Sequence, residues 1–485
     1  MTGIPITALL HILAVTLMSL RILYRRMAVN TTMAWLVIIA ALPLGGIILY
    51  FLFGDHRLGR KRLKLGERIR GYYQKAYEIN ECDIAQDQMS VSPYFEDLSR
   101  VVATETGFHP SVTESIRLFD EAGHIFSAMV EDIDAAKHSC FVEFYIVEAQ
   151  GRVIPVLEAI ERAALRGVQC RFLADDIGSR KFLKSKWRSR LEQAGVVIVR
   201  SLEVSFLKSF SKRTDLRNHR KLVVIDLSVG YIGSSNLVDP TKFKQHADVG
   251  QWVDIMARVE GHISSSLAVV FNTDFIFDKD GEKYDVEKLK NLPRETPPQP
   301  AASNAVLQLI PSGPEMRTGL IYEVIIAALF GARQSITIVT PYFVPDEALV
   351  LALTNAARRG IDVLLILPER IDSIMARHAS EAVYDDLLAA GVVIRRYQSG
   401  MLHTKAILID DNVSFIGTVN IDMRSFYLNL EVTLAIYDKA FTQRLQTTVD
   451  HYVARADRLS YEVWQKRSKV KRFKENVLRL AAPLL

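Results

Sequence analysis

Segments with the hydrophobic period of a β-strand alternate with segments with that of an α-helix along most of the chain. Residues 139–176 read as a strand, then a helix with apolar positions at i, i+3 and i+4, then a second strand, and residues 335–370 repeat that order. The strands that follow the helices are nearly continuous apolar runs, which is typical of sheets covered on both faces. This pattern predicts an α/β layered fold built from two similar halves.

The first 55 residues follow a different pattern. Residues 4–20 are apolar and almost uncharged, and residues 33–53 contain no charged residue. At a rise of about 1.5 Å per residue the second run crosses a hydrocarbon layer of roughly 30 Å, whereas the first barely spans it. We predict a transmembrane helical hairpin at residues 1–55, with a buried soluble helix as the alternative.

A basic segment follows this hairpin. Residues 56–75 hold eight Lys or Arg residues and one acidic residue, Glu67. The positive-inside rule places the segment and the following chain in the cytoplasm. Arg21, Arg25 and Arg26, in the connection between the two apolar runs, slightly favour the opposite orientation. Such a segment also attracts anionic lipid head groups, and a solvated flank is the alternative.

The remaining chain divides at a linker rich in Pro and Ala, residues 291–305. We therefore predict a basic juxtamembrane linker at 56–105, a first domain at 106–290 and a second domain at 306–485. The basic-then-apolar C-terminal stretch 466–485 suits an interfacial helix, with a packed or frayed terminus as the alternative.

Composition excludes several classes of protein. The formal net charge is +5 and its excess is local, which argues against a nucleic-acid-binding protein. Cys82, Cys140 and Cys170 lie far apart without a C-x-x-C pair, so neither a zinc site nor a disulfide framework is predicted. The sequence has no P-loop. We expect no metal and no cofactor.

One motif, His-x-Lys-x-x-x-x-Asp, occurs once in each half. The first copy is "HRKLVVID" at 219–226 and the second is "HTKAILID" at 403–410. In both copies an Asn follows the His after 17 residues, within "GSSN" and "GTVN". Two matches in repeated halves argue against chance. The candidate catalytic residues are His219, Lys221, Asp226, His403, Lys405 and Asp410.

The spacing within the motif has a geometric reason. Residues i and i+2 of a strand point to the same side, so His219 and Lys221 share a face, while Arg220 points away. If the halves pack about a pseudo-two-fold axis, both His-Lys pairs converge on one site. Two lysines and two Asn amides can bind the charged oxygens of a phosphodiester. One imidazole can attack the phosphorus as a nucleophile, and the other can donate and accept the proton.

A carboxylate is expected to orient each imidazole. Glu431 follows His403 by 28 residues, and Asp254 occupies the analogous place 35 residues after His219. Asp226 and Asp410 end their strands, so they also suit fixing a turn rather than contacting substrate. The predicted phosphate-binding and supporting residues are Ser234, Asn236, Thr418, Asn420, Asp254 and Glu431.

From about residue 110 to its end the chain resembles the phospholipase D superfamily, whose signature is this pair of motifs. The stretches "GSSNLVDPTKFKQHADVGQWVDIMARVEG" and "GTVNIDMRSFYLNLEVTLAIYD", together with the hydrophobic anchor and "TPYFVPDEAL", resemble bacterial cardiolipin synthases. The resemblance implies two phospholipase-D-type α/β/α sandwich domains related by a pseudo-two-fold axis and forming one active site, behind an N-terminal transmembrane hairpin.

The same resemblance implies an activity. Two phosphatidylglycerol molecules would condense to cardiolipin and glycerol through a phosphohistidine, with His219 as nucleophile and His403 as acid and base. It also implies a multi-pass protein of the bacterial inner membrane whose partners are phosphatidylglycerol and anionic lipids, not nucleic acid. The alternatives are a hydrolytic phospholipase D, another phosphatidyltransferase such as a phosphatidylserine synthase, a phosphodiesterase acting on nucleic acid, and a membrane-anchored scaffold with an inactive site.

Overall fold

The computed structural model describes residues 6–25, 29–54, 92–204, 216–279, 305–313, 316–317 and 319–479. They divide into two compact units, one holding the N-terminal helices and the other the two α/β halves. The basic segment 56–75 and all but the last residue of the predicted linker 291–305 lie outside the described residues.

The N-terminal unit contains helices α1 (Ile6–Tyr24), α2 (Val29–Ala41) and α3 (Pro43–Leu49), followed by a π-helical turn at Tyr50–Gly54. The continuous helix predicted at 33–53 is interrupted at Pro43, because proline lacks an N–H and its ring crowds the preceding turn. Within the described part of the chain, no helix is both long and apolar enough to cross a membrane.

The second unit begins with helix α4 (Pro93–Thr106) and strand β1 (Ser111–Val112). The strands of the first half are β2 (Ser115–Phe119), β3 (Ser139–Phe144), β4 (Gln169–Asp175), β5 (Val197–Ser201), β6 (Lys221–Ile225), β7 (Val229–Gly233), β8 (Trp252–Val253) and β9 (Met256–Glu260). Its helices are α5 (Ala122–Ala135), α6 (Ile154–Leu165), α7 (Arg180–Leu183), α8 (Lys186–Gln193) and α9 (His262–Lys279).

The second half has a matching set of elements. Its strands are β10 (Val306–Ser312), β11 (Ser335–Val339), β12 (Asp362–Pro368), β13 (Val393–Tyr397), β14 (Met401–Leu402), β15 (Ala406–Ile409), β16 (Val413–Gly417), β17 (Glu431–Tyr437) and β18 (Ala456–Arg458). Its helices are α10 (Leu320–Gly331), α11 (Glu347–Arg358), α12 (Ile374–Glu381), α13 (Tyr384–Ala389), α14 (Met423–Tyr427), α15 (Lys439–Val453), α16 (Tyr461–Gln465) and α17 (Lys469–Arg479).

The two large sheets have the same topology. The first has the order β2-β9-β7-β6-β3-β4-β5, and the second repeats it as β10-β17-β16-β15-β11-β12-β13, with β1 and β18 added at its edges. Neighbouring strands are parallel along β3–β4–β5 in the first sheet and along β11–β12–β13 in the second. All other neighbouring strands within the repeated order are antiparallel. The predicted duplicated α/β fold is therefore confirmed.

The core runs through both halves. Helices α5 and α6 cover the outer face of the first sheet, and α10 and α11 cover that of the second. Between the sheets, α9 and α15 share one hydrophobic cluster with strands of both halves. Because the inner faces pack into one core, the two halves are held in a fixed relation, which positions any site between them.

The start of the second unit differs from the predicted domain boundaries. Residues 93–105 form most of α4 rather than a linker, and Phe95, Leu98 and Val102 pack into the core of the second half. Strand β1 pairs with β10, so residues 111–112 also belong to the second sheet rather than to the first domain. The apolar side of α4 is therefore buried against residues of the second half that lie far from it in the sequence.

Candidate active site

Two short backbone pairings join the halves beside the motifs. Strand β14 runs parallel to β8, and the His403 N–H donates to the Val253 carbonyl at 2.8 Å. On the other side Asn218 pairs with Leu430, and the His219 N–H donates to the Leu430 carbonyl at 2.9 Å. Each histidine therefore lies beside the residue that precedes a carboxylate of the opposite half.

This register crosses the histidine–carboxylate pairs between the halves. Nδ1 of His219 lies 2.8 Å from Oε2 of Glu431, and Nδ1 of His403 lies 2.7 Å from Oδ1 of Asp254. Their order along the chain suggested that each carboxylate serves the histidine of its own half, whereas the structure pairs it with the other one. A carboxylate at Nδ1 favours the tautomer with the proton on that nitrogen, which leaves Nε2 free for chemistry.

Both imidazoles line one open cleft of about 370 Å³. Residues of both halves form its wall, including the predicted Asn236 and Asn420. Asn236 Nδ2 is buried without a hydrogen-bond partner among the described residues, and its Oδ1 accepts the Ile146 N–H at 3.2 Å. A buried amide donor without a partner is costly, so this group is suited to a negatively charged oxygen of a ligand.

The motif lysines lie beneath the histidines. Lys221 Nζ donates to the His219 carbonyl at 2.7 Å, and Lys405 Nζ donates to the His403 carbonyl at 2.6 Å. Burial lowers the pKa of Lys221 to about 8 and that of Lys405 to about 7. Both amines fix the backbone at the imidazoles, and their protonated forms place positive charge next to the site.

The environment keeps both imidazoles neutral in the free protein. Burial lowers the pKa of His219 to about 4 and that of His403 to about 3; the paired carboxylates oppose this, and the nearby lysines add to it. The pKa values of Glu431 and Asp254 are lowered despite burial, since each carboxylate faces an imidazole and a lysine. The pairs therefore combine an ionised carboxylate with a neutral ring.

We expect neither imidazole to take up a proton above about pH 5 in the free protein. In the unfolded chain the histidines have a pKa near 6.5 and bind protons more tightly than in the fold. The two rings therefore destabilise the fold as pH falls from about 6.5 to about 4 for His219 and to about 3 for His403. An NMR titration of protein labelled with ¹³C in histidine checks this, with His219→Gln and His403→Gln assigning the resonances. A ring that titrates near pH 6.5 would contradict the prediction.

Ser234 and Thr418 support the carboxylates. The Ser234 hydroxyl donates to Asp254 Oδ1 at 2.6 Å and accepts the Ile255 N–H at 3.1 Å. The Thr418 hydroxyl accepts the Val432 N–H at 2.9 Å and also helps to lower the pKa of Glu431. These two predicted residues therefore position the groups that orient the rings and lie outside the cleft wall.

Asp226 and Asp410, predicted with the catalytic residues, lie at the other ends of the motif strands. The Asp226 carboxylate accepts the N–H groups of residues 137–139 at 2.7–2.8 Å, and Asp410 accepts those of residues 333–335 at 2.7–3.1 Å. Both have positive φ, which short polar side chains tolerate. They fix the entry to β3 and β11, which agrees with the alternative assignment to a turn.

We expect Asp410→Ala to lower the free energy of unfolding by about 2–3 kcal/mol, because backbone donors lose a charged acceptor. The matched control is Asp411→Ala, since Asp411 is exposed and also has positive φ. Urea unfolding gives the stability, and turnover per folded molecule gives the activity. A large loss of turnover with unchanged stability would place Asp410 in the chemistry instead.

Sequence reasoning missed several residues of the cleft. Tyr145 stands edge-on to His219 at a centroid distance of 5.0 Å, and Trp252 lies against His403 at 4.2 Å. Arg217 and Arg424 also line the cleft. One signal was available: Trp252 precedes Asp254 by two residues, and Arg217 precedes His219 by two, so strand alternation places each pair on one side.

The two α/β halves have the same topology, and each supplies an imidazole to the shared cleft and a carboxylate to the imidazole of the other half. This arrangement defines a phosphodiester-transferring enzyme of the phospholipase D type. Residues 129–260 and 325–453 match the family described as cardiolipin synthase, PLD-like domain, and residues 9–54 match the one described as phospholipase D-nuclease N-terminal. The chain belongs to the cardiolipin synthase family and is a phosphatidyltransferase.

Two similar proteins match over nearly the whole chain. Cardiolipin synthase A of Klebsiella pneumoniae subsp. pneumoniae is 38% identical over 481 residues, which covers 96% of this chain and 95% of the relative. Cardiolipin synthase A of Yersinia pseudotuberculosis is 39% identical over 482 residues with the same coverage. A phosphatidylserine synthase from Haemophilus influenzae superposes with a TM-score of 0.57 and 14% identity, covering 80% of this chain and 100% of that one, which shows the shared fold.

Proposed function

We propose that this chain joins two phosphatidylglycerol molecules into cardiolipin and glycerol through a phosphohistidine. The observation that carries the proposal is the pair of imidazoles in one cleft, each with Nδ1 held by a carboxylate of the opposite half. Such a pair provides one nucleophile and one proton carrier for a single phosphorus atom.

In the first transfer, Nε2 of His219 attacks the phosphorus of one phosphatidylglycerol. The P–N bond forms as the bond to the terminal glycerol oxygen breaks, and protonated His403 donates a proton to that oxygen. His403 is neutral in the free protein, and the bound phosphodiester anion favours its protonated form because opposite charges attract. Asp254, across from Nδ1, stabilises the imidazolium.

In the second transfer, now-neutral His403 takes the proton of the terminal hydroxyl of a second phosphatidylglycerol. The hydroxyl oxygen attacks phosphorus as the P–N bond breaks, which yields cardiolipin and returns His219 to its neutral form. The amide of Asn236 in the cleft wall donates to a non-bridging oxygen, and the protonated forms of Lys221 and Lys405 next to the histidines stabilise the negative charge that develops there.

The test uses purified protein and phosphatidylglycerol as the only lipid, with products weighed by mass spectrometry. We expect cardiolipin and glycerol in a ratio of about one to one, as required when one glycerol departs for each phosphatidyl group transferred. Phosphatidic acid without cardiolipin would instead indicate a hydrolytic phospholipase D. Phosphatidylserine formed only from a nucleotide-activated lipid and serine would indicate a phosphatidylserine synthase.

We further propose that the N-terminal unit anchors the enzyme in the bacterial inner membrane, with the α/β unit in the cytoplasm. Its support is the outward apolar face of α1, where Ile12, Leu13, Leu17 and Leu20 are exposed, while Ile22 and Ile39 fill a small internal core. Membrane extraction with carbonate and reporter fusions after residue 55 test the proposal. Release of the full chain by carbonate, or a periplasmic reporter, would contradict it.

A further inference from the structure

Helix α17 is amphipathic in the reverse of the usual sense. Its apolar residues Val470, Phe473 and Val477 lie on one stripe and are 66%, 68% and 45% exposed. A surface helix normally turns such a stripe toward the protein core. This helix instead leaves three large apolar side chains exposed on one stripe, whereas exposed apolar residues on a protein surface are usually scattered singly.

The polar side of α17 attaches it to the protein. Glu475 is buried and accepts from Arg467 Nε at 3.0 Å, and Lys471 lies 3.3 Å from Glu381 of α12. Arg467 also pairs with Asp385 at 2.6 Å and stacks on the buried Trp464. Ion pairs and a cation–π contact thus fix the orientation of the helix, so that its apolar stripe faces outward.

Helix α12 packs against α17 and carries a second group of exposed apolar side chains closer to the active site. At the start of α12, Ile374 and Met375 are 73% and 42% exposed. Their neighbours Ser373 and Ala376 line the cleft that holds both catalytic imidazoles. The exposed apolar side chains of the two helices, Ile374, Met375, Val470, Phe473 and Val477, are called the α12–α17 face.

We infer that the α12–α17 face docks on the surface of an anionic lipid bilayer and holds the mouth of the cleft against it. The inference rests on the proposed function, because a lipid substrate must place its phosphate in the cleft while its acyl chains stay in the hydrocarbon. Charge agrees with this occupant: Lys466, Lys469 and Lys474 are exposed beside the stripe. Apolar side chains with flanking basic residues bind the interface of anionic membranes.

The experiment compares two forms of phosphatidylglycerol with the full-length enzyme. One form is long-chain lipid in nanodiscs, and the other is a dihexanoyl lipid dispersed below its micelle-forming concentration, which needs no docking. For the double variant Phe473→Asp, Val477→Asp we expect the ratio of bilayer to dispersed turnover to fall on the order of tenfold, because charged groups resist burial in the interface. The control is Leu165→Asp, an exposed leucine of α6 in the first half.

An unchanged ratio in the double variant would overturn the inference, and so would an equal loss with both substrates, since the helix would then act only through the fold. Failure of the proposed function is distinguishable, because the unaltered enzyme would then form no cardiolipin from either substrate. A spin label at position 473 gives a direct readout in nanodiscs. We expect it to be relaxed more by oxygen than by a water-soluble nickel chelate, whereas a label at 165 shows the reverse.

Discussion

His219→Ala and His403→Ala are each expected to lower the rate of cardiolipin formation by about 10⁴-fold or more. Removing the nucleophile prevents the covalent intermediate, and removing the proton carrier leaves the departing and attacking oxygens without an acid or a base. Groups that act as one unit lose most of their effect when any member is removed, so the double variant should be little worse than either single one. Product formation measured by mass spectrometry gives the rates.

Each variant needs a control for folding, since both rings are buried and hydrogen-bonded to carboxylates. Circular dichroism and thermal unfolding serve that purpose. Substrate labelled in its phosphorus, followed by alkaline quench and peptide mapping, identifies the residue that carries the phosphatidyl group, which we expect to be His219. A label on His403 would reverse the two roles, and full activity in either variant would refute a shared site.

The second large effect concerns the crossed carboxylates. We expect Glu431→Gln and Asp254→Asn to lower turnover by about 10²–10⁴-fold, because an amide at Nδ1 no longer enforces the required tautomer or stabilises an imidazolium. Glu431 raises the pKa of His219 and Asp254 raises that of His403, so each substitution should lower the pKa of one ring further.

Histidine NMR spectra test the crossing itself. Glu431→Gln should shift the ring signals of His219 and leave those of His403 nearly unchanged, and Asp254→Asn should do the opposite. The matched control is Glu462→Gln, an exposed carboxylate in α16. Spectra in which Glu431→Gln perturbs only His403 would show that each carboxylate serves its own half and would contradict the described geometry.

Local rules were enough to predict much of this site from the sequence. Strand alternation predicted that His219 and Lys221 share one face and that Arg220 points away from the cleft. Arg220 does point away and pairs with the buried Asp274. Repetition of the motif predicted two halves with one cleft. These predictions needed only residues a few positions apart, because the geometry of a strand fixes which of its side chains share a face.

Longer-range relations could not be derived in this way. The crossing of Glu431 and Asp254 depends on the register of β8 against β14 and of Asn218 against Leu430, which are pairings of two residues or fewer between distant segments. The position of α4 on the second half depends on a complementary apolar surface about 200 residues away in the chain. In both cases tertiary packing, rather than local pattern, chooses the partner.

The exchange of carboxylates makes the two halves interdependent. A fragment with only the first motif would carry an imidazole without its acid, and so would a fragment with only the second. Separately expressed fragments should therefore be inactive alone and recover activity only by complementation, when each supplies the carboxylate that the other's ring requires.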